Sequence, residues 1–163
     1  MHFSDEKLQR TAFHESGHAW MMVRENLGVR SASIRRTPGV RGDNRGLTVP
    51  RAVPEEGQQA LSVKFARAAL AGSAAENYLL GRWDEEGLQA RSFDVGRAKG
   101  FMTASGNDWS PEALDHYVQS LSNTVLEEIS RPRTWHLITM LACELLTMET
   151  LDGEQVTGIL LEE

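Results

Sequence analysis

The run DEKLQRTAFHESGHAWMMVRENL, residues 5–27, decides how this chain is read. Leu8, Ala12, Ala19 and Met22 recur at helical spacing, and Glu15 shares their face. Ser4 can cap the start, and Asp5 and Glu6 follow in the first turn, where acidic side chains favour a helix. The pattern predicts a helix from about Asp5 to Leu27, stopping near Gly28. Inside it lies His14-Glu15-Ser16-Gly17-His18, an HExxH pattern. Residues four apart on a helix hold their Cβ atoms roughly 5–6 Å apart. Two imidazoles so placed can meet one zinc ion at about 2.0–2.1 Å each. Glu15 can then reach water at the metal without being a ligand. The chemistry implied is zinc-dependent hydrolysis, most directly of a peptide bond.

HExxH also arises by chance on solvated helix faces. The helical flanks weigh against that here. So does Gly17, which costs a helix interior about 1 kcal/mol relative to Ala and is kept more readily where something packs closely against it.

The bulk numbers bound the rest. A chain of 163 residues is read as one domain, large enough to bury a core without staples. Hydrophobic content of 40% and charged content of 25% are ordinary for a soluble globular protein. The net charge of −6 argues against a general nucleic-acid role. No signal peptide and no apolar run of transmembrane length is evident, so the expected location is cytoplasmic with no membrane span. Cys143 stands alone and cannot form an internal disulfide, and its place in LITMLACELL predicts a buried core thiol. Between Arg30 and Arg51 there are six arginines and one acid, Asp43. These either keep a hairpin edge soluble or dock an acidic partner.

Beyond the first helix, Val29 to Arg36 has the β-branched, alternating look of a strand, and Gly46 to Val49 reads as a second one closed by Pro50. Pro38-Gly39 is a turn and residues 42–44 are loop. A long helix is predicted from about Pro54 to Leu80, ended by Gly81. Residues 82–91 read as an acidic loop, and Ser92 can cap a helix through about Ala104. Ser110-Pro111-Glu112 starts a helix to about Ile129, and Arg131-Pro132 starts another to about Met148. Asp152 with Gln155 resembles a capping box for a last short helix. The fold class expected is mostly α with a small β-sheet. The four tryptophans, Trp20, Trp83, Trp109 and Trp135, fall on apolar faces or element ends and read as packing residues.

A catalytic zinc site needs a third protein ligand and an open fourth position. Glu76, Asp84, Asp94, His116 and His136 are the candidates, and spacing does not separate them.

A family resemblance does. HESGHA resembles the HEAGHA of the FtsH-type AAA zinc proteases. AGSAAENYLLG, Ala71 to Gly81, looks like that family's GG-R-AAE-x-x-x-G helix. SFDVGRAK resembles its NDI/L-x-x-AT segment, and LACELLTMETLDGEQV, Leu141 to Val156, is similar to its LL-x-x-ETLDG-x-E tail. The four blocks occur in the same order across nearly the whole chain. The resemblance implies a single FtsH-like, zincin-like metallopeptidase domain over residues 1–163. Its one zinc would be held by His14, His18 and Asp94, with Glu15 as catalytic base. Glu76 becomes a structural or ligand-supporting acid, the alternative being a helix-surface or loop-tethering carboxylate. Among the departures from the family, Ser16 replaces Ala, Phe93 replaces the Asn before the ligand, and Lys99 replaces Thr. Phe93 and Lys99 flank the ligand, so hydrogen bonding around it is expected to differ. The chain also carries no G-x-x-x-x-G-K-[ST] loop. The resemblance is therefore to the peptidase domain alone, cleaving unfolded polypeptides or peptides.

Gly46, Leu47, Thr48 and Val49 can accept an extended peptide as an added strand, or be a plain structural hairpin. His116, Tyr117 and His136 are the side chains considered for oxyanion support. Two other functions compete with the peptidase. One is a zinc-binding interaction module, or a weak peptidase subunit, paired with a separate AAA ATPase or with copies of itself. The other is a metal-free helical scaffold.

Overall fold

The computed structural model describes residues 5–36, 45–51, 59–81 and 92–162. Helix α1 (Glu6–Arg24) leads into strand β1 (Val29–Arg36), and β2 (Arg45–Pro50) follows. Among the described residues, four helices come next: α2 (Gln59–Leu80), α3 (Ser92–Ala104), α4 (Pro111–Ile129) and α5 (Pro132–Met148). Strand β3 (Thr150–Asp152) and helix α6 (Gly153–Leu160) close the described chain. The class is mostly α with a small sheet, as expected. The Ser4 cap, the Pro38-Gly39 turn, the 42–44 loop, the Pro54 helix start, Trp83 and the acidic loop lie outside the described residues, as does the side chain of Ser92.

The three strands form an antiparallel sheet in the order β2-β1-β3. Ala32 stands opposite both Thr48 and Leu151, so among the described residues its strand is the centre and β2 is an edge. No helix among the described residues is long and apolar enough to cross a membrane.

Helix α1 is more deeply set than a one-faced amphipathic pattern suggests. From Ala12 to Met22 every residue but His14 is buried, because α2, α5 and the sheet surround the helix. Its end comes earlier than predicted. Asn26 takes the left-handed conformation at φ 59°, and the N–H groups of Asn26 and Leu27 bond back to the carbonyls of Val23 and Met22. That is a Schellman stop built on Asn rather than on Gly28. Gly17 has the packing reason anticipated for it. A Cβ there would lie 2.4 Å from the Ala71 carbonyl oxygen and 2.7 Å from Ala75 Cβ, so α1 and α2 meet almost backbone to backbone.

Small residues on α2 allow that approach. Ala68, Ala71, Ala74 and Ala75 pack toward α1, while Ala66, Ala69 and Leu70 pack with Ala98, Met102 and Val118 of α3 and α4. Ser110 caps α4 by accepting from Ala113 N–H at 3.1 Å, and Asp152 and Gln155 form the expected capping box on α6. Trp135 stacks on Phe13 at 5.1 Å and meets Tyr78 edge-on, and Trp109 packs on Tyr117, all as packing residues.

One burial expectation is corrected. Cys143 is exposed. The buried stripe of α5 is Ile138, Leu141, Ala142 and Leu145. Cys143 lies about 100° around the helix from Ala142, which turns it off that stripe.

Candidate metal centre

His14 and His18 sit one turn apart on α1, with ring centroids 4.7 Å apart and their Nε2 atoms separated by 3.0 Å. The other nitrogen of each ring is tied to α2. His18 Nδ1 lies 2.7 Å from the Ala68 carbonyl oxygen, and His14 Nδ1 lies 3.0 Å from Glu76 Oε2. A carbonyl can only accept, so Nδ1 of His18 carries a hydrogen. The ionised Glu76 imposes the same on His14. In the neutral rings both Nε2 lone pairs therefore point at each other, the arrangement that outer hydrogen bonds impose on metal-binding histidines.

Asp94, in the first turn of α3, completes the cluster. Its Oδ2 is 3.3 Å from His14 Nε2 and its Oδ1 is 3.8 Å from His18 Nε2. His14, His18 and Asp94 together form a group that could hold a metal ion, with all ligand atoms within 4.8 Å of one another. Tetrahedral bonds of about 2.0–2.1 Å place ligand atoms about 3.3 Å apart. The separations of 3.0, 3.3 and 3.8 Å bracket that value.

Gly72 of α2 makes the space. A Cβ there would fall 2.4 Å from His18 Nε2 and 2.8 Å from His14 Nε2, inside the volume where the ligand atoms converge.

The electrostatics also call for a cation between the rings. Burial works against charge on His14. The hydrogen bond that His14 donates to Glu76 and the charges of Asp94, Glu15 and Glu76 outweigh it and push the imidazole up to about 9. His18 goes the other way, lowered by burial and then by the positive charge on His14. The site thus stabilises one positive charge at Nε2, which a proton or a metal can supply.

Glu76 is placed behind His14 rather than among the ligands. Its Oε1 accepts from Arg10 Nε at 2.8 Å and Nη2 at 2.6 Å, leaving Oε2 for the histidine. Burial would raise its carboxyl, but the hydrogen bonds from His14 and Arg10 hold it below the usual range. Glu76 thus ties α1 to α2 through both Arg10 and His14.

Glu15 is buried beside the cluster and gripped by β2. Thr48 Oγ1 donates to Glu15 Oε2 at 2.6 Å and approaches the Glu15 carbonyl oxygen at 3.2 Å. Gly46, at φ 99°, passes so close that a Cβ would lie 2.6 Å from Glu15 Oε1. Strand alternation turns Leu47 to the opposite, exposed face. The four residues singled out as a candidate substrate strand therefore form an edge strand that touches the candidate base.

Of the remaining candidates among the described residues, neither histidine joins the cluster. His116 and His136 are exposed on α4 and α5, and Asp84 lies outside the described residues. Phe93 is 75% exposed, and Lys99 pairs with Asp115 of α4. The hydrogen bonding around Asp94 comes instead from Ser73 of α2, whose hydroxyl and backbone N–H both reach Oδ2.

Sequence reasoning missed Ala68, Gly72, Ser73 and Arg10. Ala68, Gly72 and Glu76 stand four apart, so the spacing that revealed His14 and His18 could have revealed that face of α2. Ser73 carries no such signal.

The site thus defines a two-histidine, one-carboxylate candidate metal centre with a buried glutamate beside it. The chain matches no protein-family model and no curated protein.

Proposed function

We propose that the chain is a zinc-dependent metalloendopeptidase with a zincin-like, FtsH-type peptidase domain, acting on unfolded polypeptides or peptides. The observation that carries this reading is the ligand arrangement. Two histidines are fixed through Nδ1, so their Nε2 atoms and Asp94 converge on the space that Gly72 leaves. Two imidazoles and one carboxylate are a three-ligand set that suits zinc in a catalytic role, where the fourth position goes to water. The HExxH helix beside an antiparallel sheet also fits a zincin-like fold.

Zinc bound there would supply the Lewis acid that acidifies a water and polarises a peptide carbonyl. The protein's own residues do the rest. His14, His18 and Asp94 would hold the metal, and Glu76 and the Ala68 carbonyl keep each imidazole in the ligating tautomer. Glu15 takes a proton from the attacking water on its carboxylate and passes it to the leaving amine. Thr48 fixes which way that carboxylate points. An extended substrate adds alongside β2, an edge among the described strands, where backbone pairing holds it regardless of its side chains. A separate ATPase or self-association in the cytoplasm would deliver unfolded chains to the site.

The test is cleavage of an unfolded casein-type substrate by wild type and by Glu15→Gln, with zinc measured in both. The variant should retain zinc and lose turnover by about 10²–10⁴-fold, the range attributed to general base catalysis. Near wild-type cleavage by Glu15→Gln, or cleavage indifferent to a chelator, would refute the assignment.

A further inference from the structure

We propose that Ser73 is the positioning residue for the third ligand, setting the place of the Asp94 carboxylate through its hydroxyl. The inference rests on the metal reading and adds a residue that neither the HExxH motif nor the family resemblance assigns.

Ser73 and Asp94 are both buried, on different helices, 21 residues apart in sequence. A serine hydroxyl has a single proton to donate. In a helix the default acceptor is a carbonyl in its own preceding turn. Here the proton goes to Asp94 Oδ2 on α3, and the backbone N–H of Ser73 reaches the same oxygen at 3.2 Å. That oxygen is also the one 3.3 Å from His14 Nε2. One residue of α2 thus holds the ligand oxygen in place against a neighbouring imidazole.

The need for such a holder is physical. The carboxylate is almost fully buried, and among the described residues it also faces the two imidazole Nε2 atoms. When those nitrogens carry lone pairs they repel it, and it would turn away unless a donor held it. Neither side chain that flanks the ligand in the resembling segment does this, since Phe93 faces solvent and Lys99 pairs with Asp115. Ser73 stands next to Gly72, so consecutive residues of α2 supply the space for the metal and the tether for its third ligand. With Ala68 and Glu76 on the histidines, one helix orients all three ligands.

The test measures zinc affinity by competition with a chromophoric chelator, in wild type, Ser73→Ala, Asp94→Ala and the double variant. Ser62→Ala serves as the comparison, because it removes another buried hydroxyl from α2. Thermal unfolding of each metal-free protein checks folding. Ser73→Ala should weaken zinc binding about 10–100-fold, the cost typical of losing an outer hydrogen bond to a ligand. Ser62→Ala should leave it unchanged. In the Asp94→Ala background, which purifies without zinc but whose two histidines still give a weak affinity in the competition, Ser73→Ala should cost nothing further, because the hydroxyl acts only through that carboxylate. A purely structural serine would weaken binding equally in both backgrounds, and that result overturns the inference. So does a Ser73→Ala protein that binds zinc as tightly as wild type while wild type binds it well. If wild type binds no zinc, the metal reading falls and this inference falls with it.

Discussion

The hydroxyl of Thr48 donates a 2.6 Å hydrogen bond to Glu15 Oε2, joining an edge strand to the glutamate of the HExxH helix across 33 residues of sequence. Both groups are buried. Thr48 therefore does more than lie in a candidate substrate strand. It orients the carboxylate assigned as the base. Thr48→Val removes the donor and keeps the branched shape. It should leave zinc content unchanged and lower turnover about tenfold or more, within the range that outer hydrogen bonds contribute. Thr48→Ser should restore most of the rate. Equal turnover in the Val and Ser variants would show that the bond is idle.

Gly72 gives a prediction of a different kind. Ala at this position is favoured in a helix by about 1 kcal/mol. Its Cβ would nevertheless stand 2.4 Å from His18 Nε2. Gly72→Ala should therefore fold and fail to take up zinc. A Gly72→Ala protein that carries full zinc would mean the metal does not sit where the two Nε2 atoms converge.

The metal-free protein should be sensitive to pH in a defined window. The folded value of His14 is raised to about 9 from 6.5, so its contribution to stability is fully present below about 6.5 and is lost as pH rises through about 9. Glu76 has the opposite sign. Its depressed carboxyl contributes above the ordinary carboxylate range and is lost only in acid, outside this window. The melting temperature of chelator-treated protein should thus fall between pH 6.5 and 9. Zinc-loaded protein should not show the fall, because metal replaces the proton at Nε2. Zinc binding at pH 7.5 should also release about one proton from His14, read by calorimetry in buffers of different ionisation enthalpy. Zero released protons would contradict the assignment of Nε2 as the shared atom.

How much of this was legible in the sequence depended on how local each signal is. His14 and His18 could be placed because i, i+4 spacing is a property of one helix. Ser110-Pro111 and Asp152 with Gln155 are equally local, and both caps formed as expected. Asp94 was separated from Glu76 only through a resemblance, since no spacing rule reaches across 76 residues to His18. The geometry then distinguishes them by which imidazole nitrogen each one faces. Ser73 and Thr48 were out of reach as hydrogen-bonding partners because a serine or threonine is common and its partner is fixed by packing alone. Strand β3 went unread because Thr150–Asp152 is too short for alternation to register, and the sheet is what recruits it. Cys143 falls in an apolar run that reads as buried, whereas a helix against a core buries one stripe and leaves this thiol exposed.

The most direct test of the central claim is metal content of the purified protein, with wild type measured beside Asp94→Ala and Glu76→Ala. The account predicts about one zinc per wild-type chain, loss of it in Asp94→Ala, and retention in Glu76→Ala at about 10–100-fold weaker affinity. No zinc in wild type, or zinc lost with Glu76→Ala and kept in Asp94→Ala, would contradict the ligand set of His14, His18 and Asp94.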